Sequence, residues 1–505
     1  MDPHLVIIGG GVAGLSAGIY ARMNGFTTTI VEMHDIPGGQ CTAWVRHGYH
    51  FDHCLHWLVG THEGTFHTIW KELGALEPDT RIVDHAVHTR VLAPDGTEFL
   101  VYTDIDRWEA YLLEIAPEDE KAIRRMIQDM RGTHTLEQFE DAPGMRSIVD
   151  YIKALYHSGG ALYTLGKHMH KSCRAYFDEL GFTSPRLRLY FDNLYGDLHF
   201  SAGAFLMMLT WMSKKNAGYP IGGSLPFAMR LTKRYKELGG ELLLKQRVRS
   251  IRVEHGRAVG VELVDDRFLP ADHVIGAADA HSILHGMLQG RYLTPRMREA
   301  FATWETFTPL VHVCFGIDRE VPVQHATTTV LAARERVGRT TLRTGFNVLN
   351  YGFDPTLAPL GKTTIIIRFD SPWAIWKDLD GEDYQEEKRV ILETMTRHLI
   401  TLYPEVEGHI EVTDVATPRT DVRYTGVWQG AYEGFLPGPD NLNSQLEMRI
   451  PGLDGFTLIG QWITPGGGLP PAAQSGRWAI QLLCKDLRRE FITTLAPAWV
   501  KAEAG

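Results

Sequence analysis

The sequence predicts an α/β fold in which a domain built on a parallel sheet is interleaved with a second, α+β domain. Three observations predict it. A strand–turn–helix–strand pattern opens the chain, a second α/β block begins near Tyr219, and the C-terminal region returns to a strand followed by a helix. The chain also has 505 residues, which is too many for one hydrophobic core.

The first element is a short strand followed by a glycine-rich turn. Leu5–Ile8 is apolar at every position, which is typical of a parallel strand buried on both faces. Gly9–Gly14 forms the turn, Leu15–Asn24 is a predicted helix, and Thr27–Glu32 is a second strand rich in β-branched residues. This order is half of a βαβ unit.

The turn has the spacing that binds the pyrophosphate of a dinucleotide. Gly9 permits the tight turn, Gly11 allows close approach of the backbone, and Gly14 allows the helix to pack on the strand. Ala13 lies inside the same turn, and Glu32 ends the next strand, where a carboxylate binds ribose hydroxyls. A 2′-phosphate would be repelled by this carboxylate, so NADP is disfavoured. We therefore predict a Rossmann-like site for the ADP half of NAD or FAD.

The later elements suggest how the two domains alternate along the chain. A helix is predicted over 225–238, with short strands at 241–244, 248–253, 258–263 and 273–276. Residues 100–215 are mostly helical in pattern, whereas 300–440 contain strand-like runs such as 310–317 and 363–369. We expect the nucleotide-binding domain to comprise 1–85, 215–290 and 445–505, and a substrate or cover domain to comprise 86–214 and 291–444.

Composition excludes several classes of function. The net charge of −10 leaves no basic field for nucleic acid. The five cysteines are scattered without a CxxC pair, which argues against structural zinc or a disulfide framework and favours a reducing compartment. The N-terminus lacks the features of a signal peptide, and the longest apolar run, Ala202–Met212, is about half of what a membrane span needs. We expect a cytoplasmic protein.

A second glycine pair separates FAD from NAD. Glu32 leads through a short spacer to Gly38, Gly39, Gln40 and Cys41. Here the sequence resembles the flavoprotein superfamily of amine oxidases and carotenoid desaturases, whose members carry a glutamate, a spacer and Gly-Gly. Those proteins usually continue with a basic residue where this chain has Gln40. The resemblance implies FAD as the cofactor, and no second GxGxxG turn indicates a separate NAD(P)H site.

Two distant segments make the resemblance specific. The segment 219–225 resembles the one that precedes a helix in the FAD domain of this family, and Val248 matches a strand residue at the adenine. Residues 460–470 resemble the flavin-contacting signature of the phytoene desaturase and retinol saturase branch. The resemblance implies cofactor contacts at Gly460, Gly467, Gly468, Leu469 and Pro470. A helix N-terminus there would stabilise negative charge on reduced flavin.

A histidine-rich segment, 49–59, has two interpretations. Its His and Cys side chains are close enough in sequence to suggest a metal site, but the spacing matches no zinc pattern, so we expect no metal. Asp52 and His56 instead match a Phe-Asp-x-Gly-x-His motif of the retinol saturase-like branch, with Cys54 in place of the glycine. The resemblance makes His56, His53 and Asp52 candidate catalytic residues; alternatively they only line the pocket.

The resemblance implies an FAD-dependent oxidoreductase that acts on C–C or C=C bonds of a hydrophobic polyene. Carotenoids, retinoids and unsaturated fatty acids are the candidate substrates, and saturation, desaturation and double-bond isomerisation remain open. Two alternatives are a flavin amine oxidase and a non-catalytic prenyl or lipid carrier on the same fold. No electron donor or acceptor is indicated by the sequence.

The segment Met145–Arg174 bears on how a lipid would reach the site. It contains five lysines and arginines but one acid, Asp150, and it precedes the apolar run Ala202–Met212. A basic, aromatic surface beside an apolar helix is typical of peripheral contact with an anionic membrane. A solvated face beside a core helix explains the same pattern equally well.

Overall fold

The computed structural model describes residues 2–136, 138–193 and 199–493. Parts of the predicted domain segments 1–85, 86–214 and 445–505 lie outside these ranges, namely residues 1, 137, 194–198 and 494–505. The α/β fold class predicted from the sequence is confirmed, with a parallel sheet and a separate mixed sheet. The domain boundaries stay a prediction.

The strands are short and are distributed along the whole chain. In chain order they are β1 His4–Ile8, β2 Thr27–Val31, β3 Ala43–Arg46, β4 Tyr49–Asp52, β5 Ile82–Val83, β6 Val87–Leu92, β7 Glu98–Tyr102, β8 Tyr219–Pro220, β9 Glu241–Leu243, β10 Val248–Glu254, β11 Arg257–Leu263, β12 Phe268–Pro270, β13 His273–Gly276, β14 Leu310–Ile317, β15 Thr327–Leu331, β16 Arg336–Val337, β17 Thr340–Thr341, β18 Gly345–Asn350, β19 Thr363–Asp370, β20 Ile410–Ala416 and β21 Phe456–Leu458.

Among the described residues, six consecutive α-helices lie between β7 and β8 in the chain, and the last helix follows β21. In chain order they are α1 Val12–Met23, α2 Gly64–Glu72, α3 Ile105–Ile115, α4 Glu120–Gly132, α5 Ile148–His168, α6 Cys173–Leu180, α7 Pro185–Asn193, α8 Ala202–Ser213, α9 Ser224–Glu237, α10 Pro295–Thr303, α11 Trp373–Trp376, α12 Gly381–Leu402, α13 Pro418–Thr425 and α14 Leu469–Asp486.

The first domain is built on a five-stranded sheet in the order β21-β13-β1-β2-β9, with every neighbouring pair parallel. Val6 of β1 pairs with Val274 on one side and Thr29 on the other. Because the strands are parallel, their carboxyl ends lie at one edge of the sheet. Gly9 and Glu32 follow β1 and β2 directly, so the glycine turn and the predicted ribose ligand meet at that edge.

Close glycine contacts hold α1 against its neighbours. The helix begins at Val12, with Gly11 as its N-cap, rather than at the predicted Leu15. Gly14 therefore lies inside the helix. A Cβ atom on Gly14 would lie 2.0 Å from the carbonyl oxygen of Gly9. On the other side, α14 crosses α1 at Gly476, where a Cβ atom would lie 2.7 Å from the backbone nitrogen of Ala17. The C-terminal helix thus completes the nucleotide-binding layer.

The second domain has a seven-stranded sheet in the order β20-β14-β19-β18-β15-β6-β7. One face packs on α12, where Val313 and Ile367 meet Ile391 in a buried cluster. The opposite face carries Cys314 and Ile366, which belong to the core of the nucleotide-binding domain. This second face therefore packs against the nucleotide-binding domain.

Helices α3, α4 and α6–α8 form a separate core with its own aromatic cluster, including Trp108, Phe177 and Phe191. The apolar run Ala202–Met212 lies in α8 and is mostly buried in this core. The membrane-facing interpretation therefore does not apply to that run, because its apolar side chains already have protein partners. The exposed apolar surface lies on α5 instead.

Candidate functional site

A cavity of about 440 Å³ lies at the carboxyl edge of the parallel sheet. Its walls come from the turn after β1, the end of β2, the start of β10 and the N-terminus of α14. Most of the predicted cofactor-binding residues line it: Gly9, Gly11, Ala13, Glu32, Gly38, Gly39, Gln40, Cys41, Val248, Gly460, Gly468 and Leu469. Gly14, Gly467 and Pro470 are not among the lining residues.

Two glycine loops cross at the floor of the cavity. Gly11 and Gly38 form an isolated parallel bridge, and the backbone nitrogen of Gly38 donates to the carbonyl oxygen of Gly10 at 2.8 Å. Gly38 has φ +119°, and a Cβ atom there would lie 2.6 Å from the carbonyl oxygen of Cys41. Glycine is therefore required at this position, both for its backbone conformation and for the space it leaves.

Glu32 presents its carboxylate to the cavity wall. One oxygen accepts a hydrogen bond from the backbone nitrogen of Gly10 at 2.7 Å, and the other accepts from that of His34 at 2.8 Å. Burial raises the pKa of this carboxyl, and the two backbone donors act in the opposite direction. A carboxylate has about four acceptor positions, so two remain for the hydroxyls of a ribose.

The opposite wall is the N-terminus of α14. Gly468 precedes the helix with φ +81°, and Gly468, Leu469 and Ala472 all line the cavity. Gly467, although outside the lining, is packed too tightly for a side chain, since a Cβ atom would lie 2.2 Å from the carbonyl oxygen of Glu433. The first turn of this helix contains no acidic residue, so its positive end is available to an electron-rich group.

Asp52 joins the histidine-rich segment to the start of α9. Its carboxylate accepts from the backbone nitrogen and the hydroxyl of Ser224, each at 2.6 Å. It also accepts from the backbone nitrogens of Cys54 and Leu55, each at 2.9 Å. Burial raises the pKa of Asp52 to about 6 against the effect of these donors. The side chain is fully engaged in holding two segments together.

His56 is hydrogen-bonded on both sides of its ring. Its Nδ1 lies 3.1 Å from the carbonyl oxygen of Cys54, and its Nε2 lies 3.0 Å from Nη2 of Arg368. Because arginine only donates, Nε2 is the acceptor and Nδ1 carries the proton. Burial first, and then the charge of Arg368, hold the pKa of His56 well below its usual value. His56 is therefore a neutral imidazole.

His53 lies on the other side of this cluster. Its Nε2 is 3.3 Å from Oδ1 of Asp421, and its ring centroid is 4.7 Å from that of His312. Burial, followed by the charge of Arg368, lowers the pKa of His53 to about 4. Burial also raises the pKa of Asp421 well above its usual value. Burial therefore favours the neutral forms of both His53 and Asp421.

Arg368, His312 and Glu433 were not predicted from the sequence. Arg368 of β19 pairs with His312 of β14 in register, so the two side chains share one face of the sheet. Glu433 lies beside the N-terminus of α14, and burial raises its pKa to about 7 although the charge of Arg368 acts to lower it. The available signal for Arg368 and His312 was a basic residue inside each of two largely apolar strands, 310–317 and 363–369.

Residues 12–482 match the family described as flavin containing amine oxidoreductase. The match spans most of the chain, beginning within the first glycine loop and including the second glycine loop and most of α14. The chain belongs to this family. The resemblance to flavoprotein oxidases and desaturases inferred from the sequence is confirmed, and this flavoprotein is an oxidoreductase with FAD as its cofactor. The finer assignment to the retinol saturase-like branch stays a prediction.

Two relatives that match most of this flavin oxidoreductase are carotenoid enzymes by name. It is 23% identical to prolycopene isomerase 1, chloroplastic, of an Oncidium hybrid cultivar, covering 95% of this chain and 84% of that one. It is 24% identical to a lycopene-forming phytoene desaturase of Paracoccus sp., covering 95% and 97%. Among solved structures, a CLA-producing fatty acid isomerase from P. acnes has the same fold, with a TM-score of 0.53, 17% identity and coverage of 96% and 98%.

The residues of the cavity fit an FAD molecule. The glycine crossing leaves space for a pyrophosphate, Glu32 has free acceptor positions for a ribose, and the α14 N-terminus faces the same space. The buried Nε2 of Gln40 has no hydrogen-bond partner among the described residues, which suits a polar cofactor group there. When bound, FAD supplies hydride transfer. Within the described ranges, no group of three His, Cys, Asp or Glu residues could hold a metal.

Proposed function

We propose that this flavin oxidoreductase acts on C–C or C=C bonds of a hydrophobic polyene, as a saturase, desaturase or double-bond isomerase. The candidate substrates are carotenoids, retinoids and unsaturated fatty acids. The observation that carries the proposal is the cluster of histidines around Arg368, in which His56 accepts a hydrogen bond from the guanidinium, His312 stands across from it in the sheet, and burial lowers the pKa values of His53, His56 and His312. The names of the full-length relatives, a prolycopene isomerase and a phytoene desaturase, support the same substrate class.

The same cluster disfavours the amine oxidase alternative. An amine substrate arrives at neutral pH as an ammonium ion, and a cation is repelled by a guanidinium that has no carboxylate at salt-bridge distance among the described residues. Glu433 is the nearby acid, and its pKa of about 7 leaves it only partly ionised at neutral pH. The site therefore favours a neutral or anionic substrate over a cationic one.

In this proposal each predicted residue has a defined task. The lining glycines would hold the pyrophosphate and Glu32 the ribose of the ADP moiety, and the α14 N-terminus would stabilise negative charge on the reduced ring system. Asp52 holds the histidine-rich segment on α9, so it acts as a positioning residue. His56 orients Arg368 through its Nε2 lone pair. A proton-transfer role for His56 would require Arg368 to release that lone pair first.

The substrate class is tested with FAD-loaded protein and a panel of carotenoids, retinoids, unsaturated fatty acids and primary amines. Products are analysed by chromatography and mass spectrometry, which detects a change of two hydrogens or a shift in double-bond geometry. Conversion of at least one polyene, without conversion of the amines, is the expected result. Amine oxidation with every polyene unchanged would establish the amine oxidase instead. Protein that fails to bind FAD would favour the lipid carrier.

We also propose that α5 attaches the protein to a membrane surface. Its exposed apolar side chains include Ile148, Val149, Tyr151, Ile152, Leu155 and Tyr156 in the first half of the helix. Ile148 is 79% exposed and Tyr156 is 86% exposed, which is unusual for residues of this size. None of the helices within the described residues is long and apolar enough to cross a bilayer.

The charges around α5 support an anionic lipid surface as its proposed partner. The segment Met145–Arg174 contains Arg146 and Lys153 near the apolar face but a single acid, Asp150. The Asp150 carboxylate is used internally, because it accepts from the backbone nitrogen and hydroxyl of Ser147 at the helix start. An apolar face flanked by lysine and arginine is the pattern of helices that lie in the interface of an anionic bilayer.

A further inference from the structure

The inward face of the seven-stranded sheet carries a row of polar side chains. In register order the row is Thr329 on β15, Asn347 on β18, Arg368 on β19 and His312 on β14. Thr329 donates its hydroxyl proton to Oδ1 of Asn347 at 2.8 Å. The residues beside the row on the same face, Cys314 and Ile366, are fully buried against the nucleotide-binding domain. A polar row is unexpected on a face that otherwise packs as core.

Arg368 is the only cation in that row, and its charge is not balanced. Its guanidinium meets the ring of His56, with no carboxylate at salt-bridge distance among the described residues. Burial first, with the charge of Arg368 as a further cause, lowers the pKa values of His53, His56, His88 and His312, so the guanidinium has imidazoles rather than anions around it. A guanidinium in such surroundings is stabilised when an anion binds to it.

His312 supplies a second, independent indication. Its side chain is 3% exposed, and neither ring nitrogen forms a well-aligned hydrogen bond to any described residue. The backbone of His53 is close enough to raise the pKa of His312 slightly against the effect of burial, but it gives neither nitrogen a well-aligned partner. Such a buried imidazole is rare, because each poorly paired polar atom costs free energy. The ring stands directly across from Arg368 in the strand register. An oxyanion held by the guanidinium would give His312 an acceptor for its ring N–H.

We infer that Arg368 and His312 form a subsite for the carboxylate of the substrate. The inference rests on the proposed function and narrows it: the substrate is an unsaturated chain that ends in a carboxylate, rather than a hydrocarbon polyene. The guanidinium has five N–H donors, of which His56 Nε2 accepts one from Nη2, so donors remain for a carboxylate. A hydrocarbon carotenoid offers no group that would pair with this charge.

The inference is tested by binding to the oxidised, FAD-loaded protein under anaerobic conditions. Linoleic acid and its methyl ester are titrated separately, and dissociation constants come from the change in the visible flavin spectrum. We expect the acid to bind at least about tenfold more tightly than the ester, because only the acid satisfies the guanidinium. Arg368→Gln should abolish that difference by weakening the binding of the acid, and Arg368→Lys should keep part of the difference.

The matched control is Arg389→Gln on α12, whose guanidinium lies on the solvent side and pairs with Glu386 and Glu393. This variant should retain the wild-type preference. If Arg368→Gln fails to fold, octanoate and octanol are compared as ligands of the wild-type protein. Competition with linoleic acid by octanoate and not by octanol would support the subsite. Equal competition by the alcohol would overturn it.

The two proposals fail in different ways. Equal affinity for acid and ester, together with an unaffected Arg368→Gln variant, would overturn the carboxylate subsite. The polyene proposal would still stand in that case if the ester or a hydrocarbon carotenoid is converted. If neither acids, esters nor hydrocarbons are converted, it is the proposed function that fails.

Discussion

The Nη2 atom of Arg368 lies 3.0 Å from the Nε2 atom of His56, and this hydrogen bond joins the sheet of the second domain to the segment that follows β4. The bond fixes the protonation of the imidazole, because arginine has no acceptor to offer. His56, which the sequence suggests as a proton carrier, is therefore a neutral imidazole that accepts a hydrogen bond. The positive charge of this hydrogen-bonded pair lies on Arg368, which was not predicted from the sequence.

The glycine crossing at the cavity floor predicts a specific loss of cofactor binding. Gly38→Ala should abolish FAD uptake, because its Cβ atom would lie 2.6 Å from the Cys41 carbonyl oxygen and hold the two loops apart. Gly361→Ala is the matched control: its φ of +77° carries similar backbone strain, but nothing lies within 4 Å of the new atom. The control should bind FAD normally and lose about 1 kcal/mol of stability. Flavin content is measured from absorbance after gel filtration; normal flavin content in Gly38→Ala would contradict the prediction.

The α1–α14 contact predicts opposite effects of two helical glycine substitutions. Gly476→Ala should destabilise the protein by about 1–3 kcal/mol, since its Cβ atom would lie 2.7 Å from the Ala17 backbone nitrogen. Gly160→Ala in α5 meets nothing within 4 Å and should stabilise by up to about 1 kcal/mol through helix propensity. Urea denaturation measures both free energies of unfolding. Equal effects of the two substitutions would contradict this packing.

Buried histidines predict a loss of stability in acid. Burial first, and then the charges of Arg449 and Arg257, lower the pKa of His273 to about 4. Between that value and about 6.5 the unfolded chain binds the proton and the folded protein does not, so stability falls as the pH is lowered through this window. At pH 5 the contribution is about 2 kcal/mol for one such residue.

The test of this linkage is His273→Gln, which keeps a polar side chain near the Thr457 hydroxyl but cannot titrate. Its free energy of unfolding should fall less between pH 7 and pH 5 than that of the wild type. Exposed His255, for which a glutamine substitution should leave the pH dependence unchanged, is the control. Parallel curves for His273→Gln and the wild type would show that His273 titrates normally in the fold.

The exposed face of α5 predicts binding to vesicles. The double variant Ile152→Glu, Leu155→Glu should bind phosphatidylglycerol-containing vesicles at least about tenfold more weakly, because each side chain buries apolar area worth about 1.5–3 kcal/mol. Leu360→Glu is the control, since Leu360 is fully exposed and lies outside the helix. Co-sedimentation measures the partition. Undiminished binding would exclude α5, and a dimer that the double variant dissociates would identify a second copy as its partner.

How far the sequence could predict the structure depended on how local each requirement was. The glycines at 9, 11, 38 and 39 were predicted because a tight turn or a close backbone contact constrains the residue type at that position itself. The strand–turn–helix context and Glu32 are equally local. These features place the cavity without any knowledge of the remaining fold.

The polar row could not be predicted, because its residues meet only through strand register. Arg368 and His312 are 56 positions apart, and each appears in the sequence as one basic residue in a largely apolar strand. Tertiary packing also decided which apolar helix is exposed. The run Ala202–Met212 has the stronger apolar pattern, yet α8 is covered by α4, α5 and α6, whereas the more polar α5 leaves several apolar side chains in solvent.

The central claim, that FAD in this protein exchanges hydride with an unsaturated hydrophobic chain, is tested most directly by anaerobic flavin spectroscopy. Oxidised and chemically reduced FAD-loaded protein are mixed separately with linoleic acid, retinol and a carotenoid, and absorbance near about 450 nm is followed. We predict that at least one polyene bleaches the oxidised flavin or restores colour to the reduced flavin; for an isomerase, the polyene instead changes geometry without lasting bleaching. Flavin absorbance that stays unchanged with every polyene in both redox states, with no isomer formed, would contradict this claim.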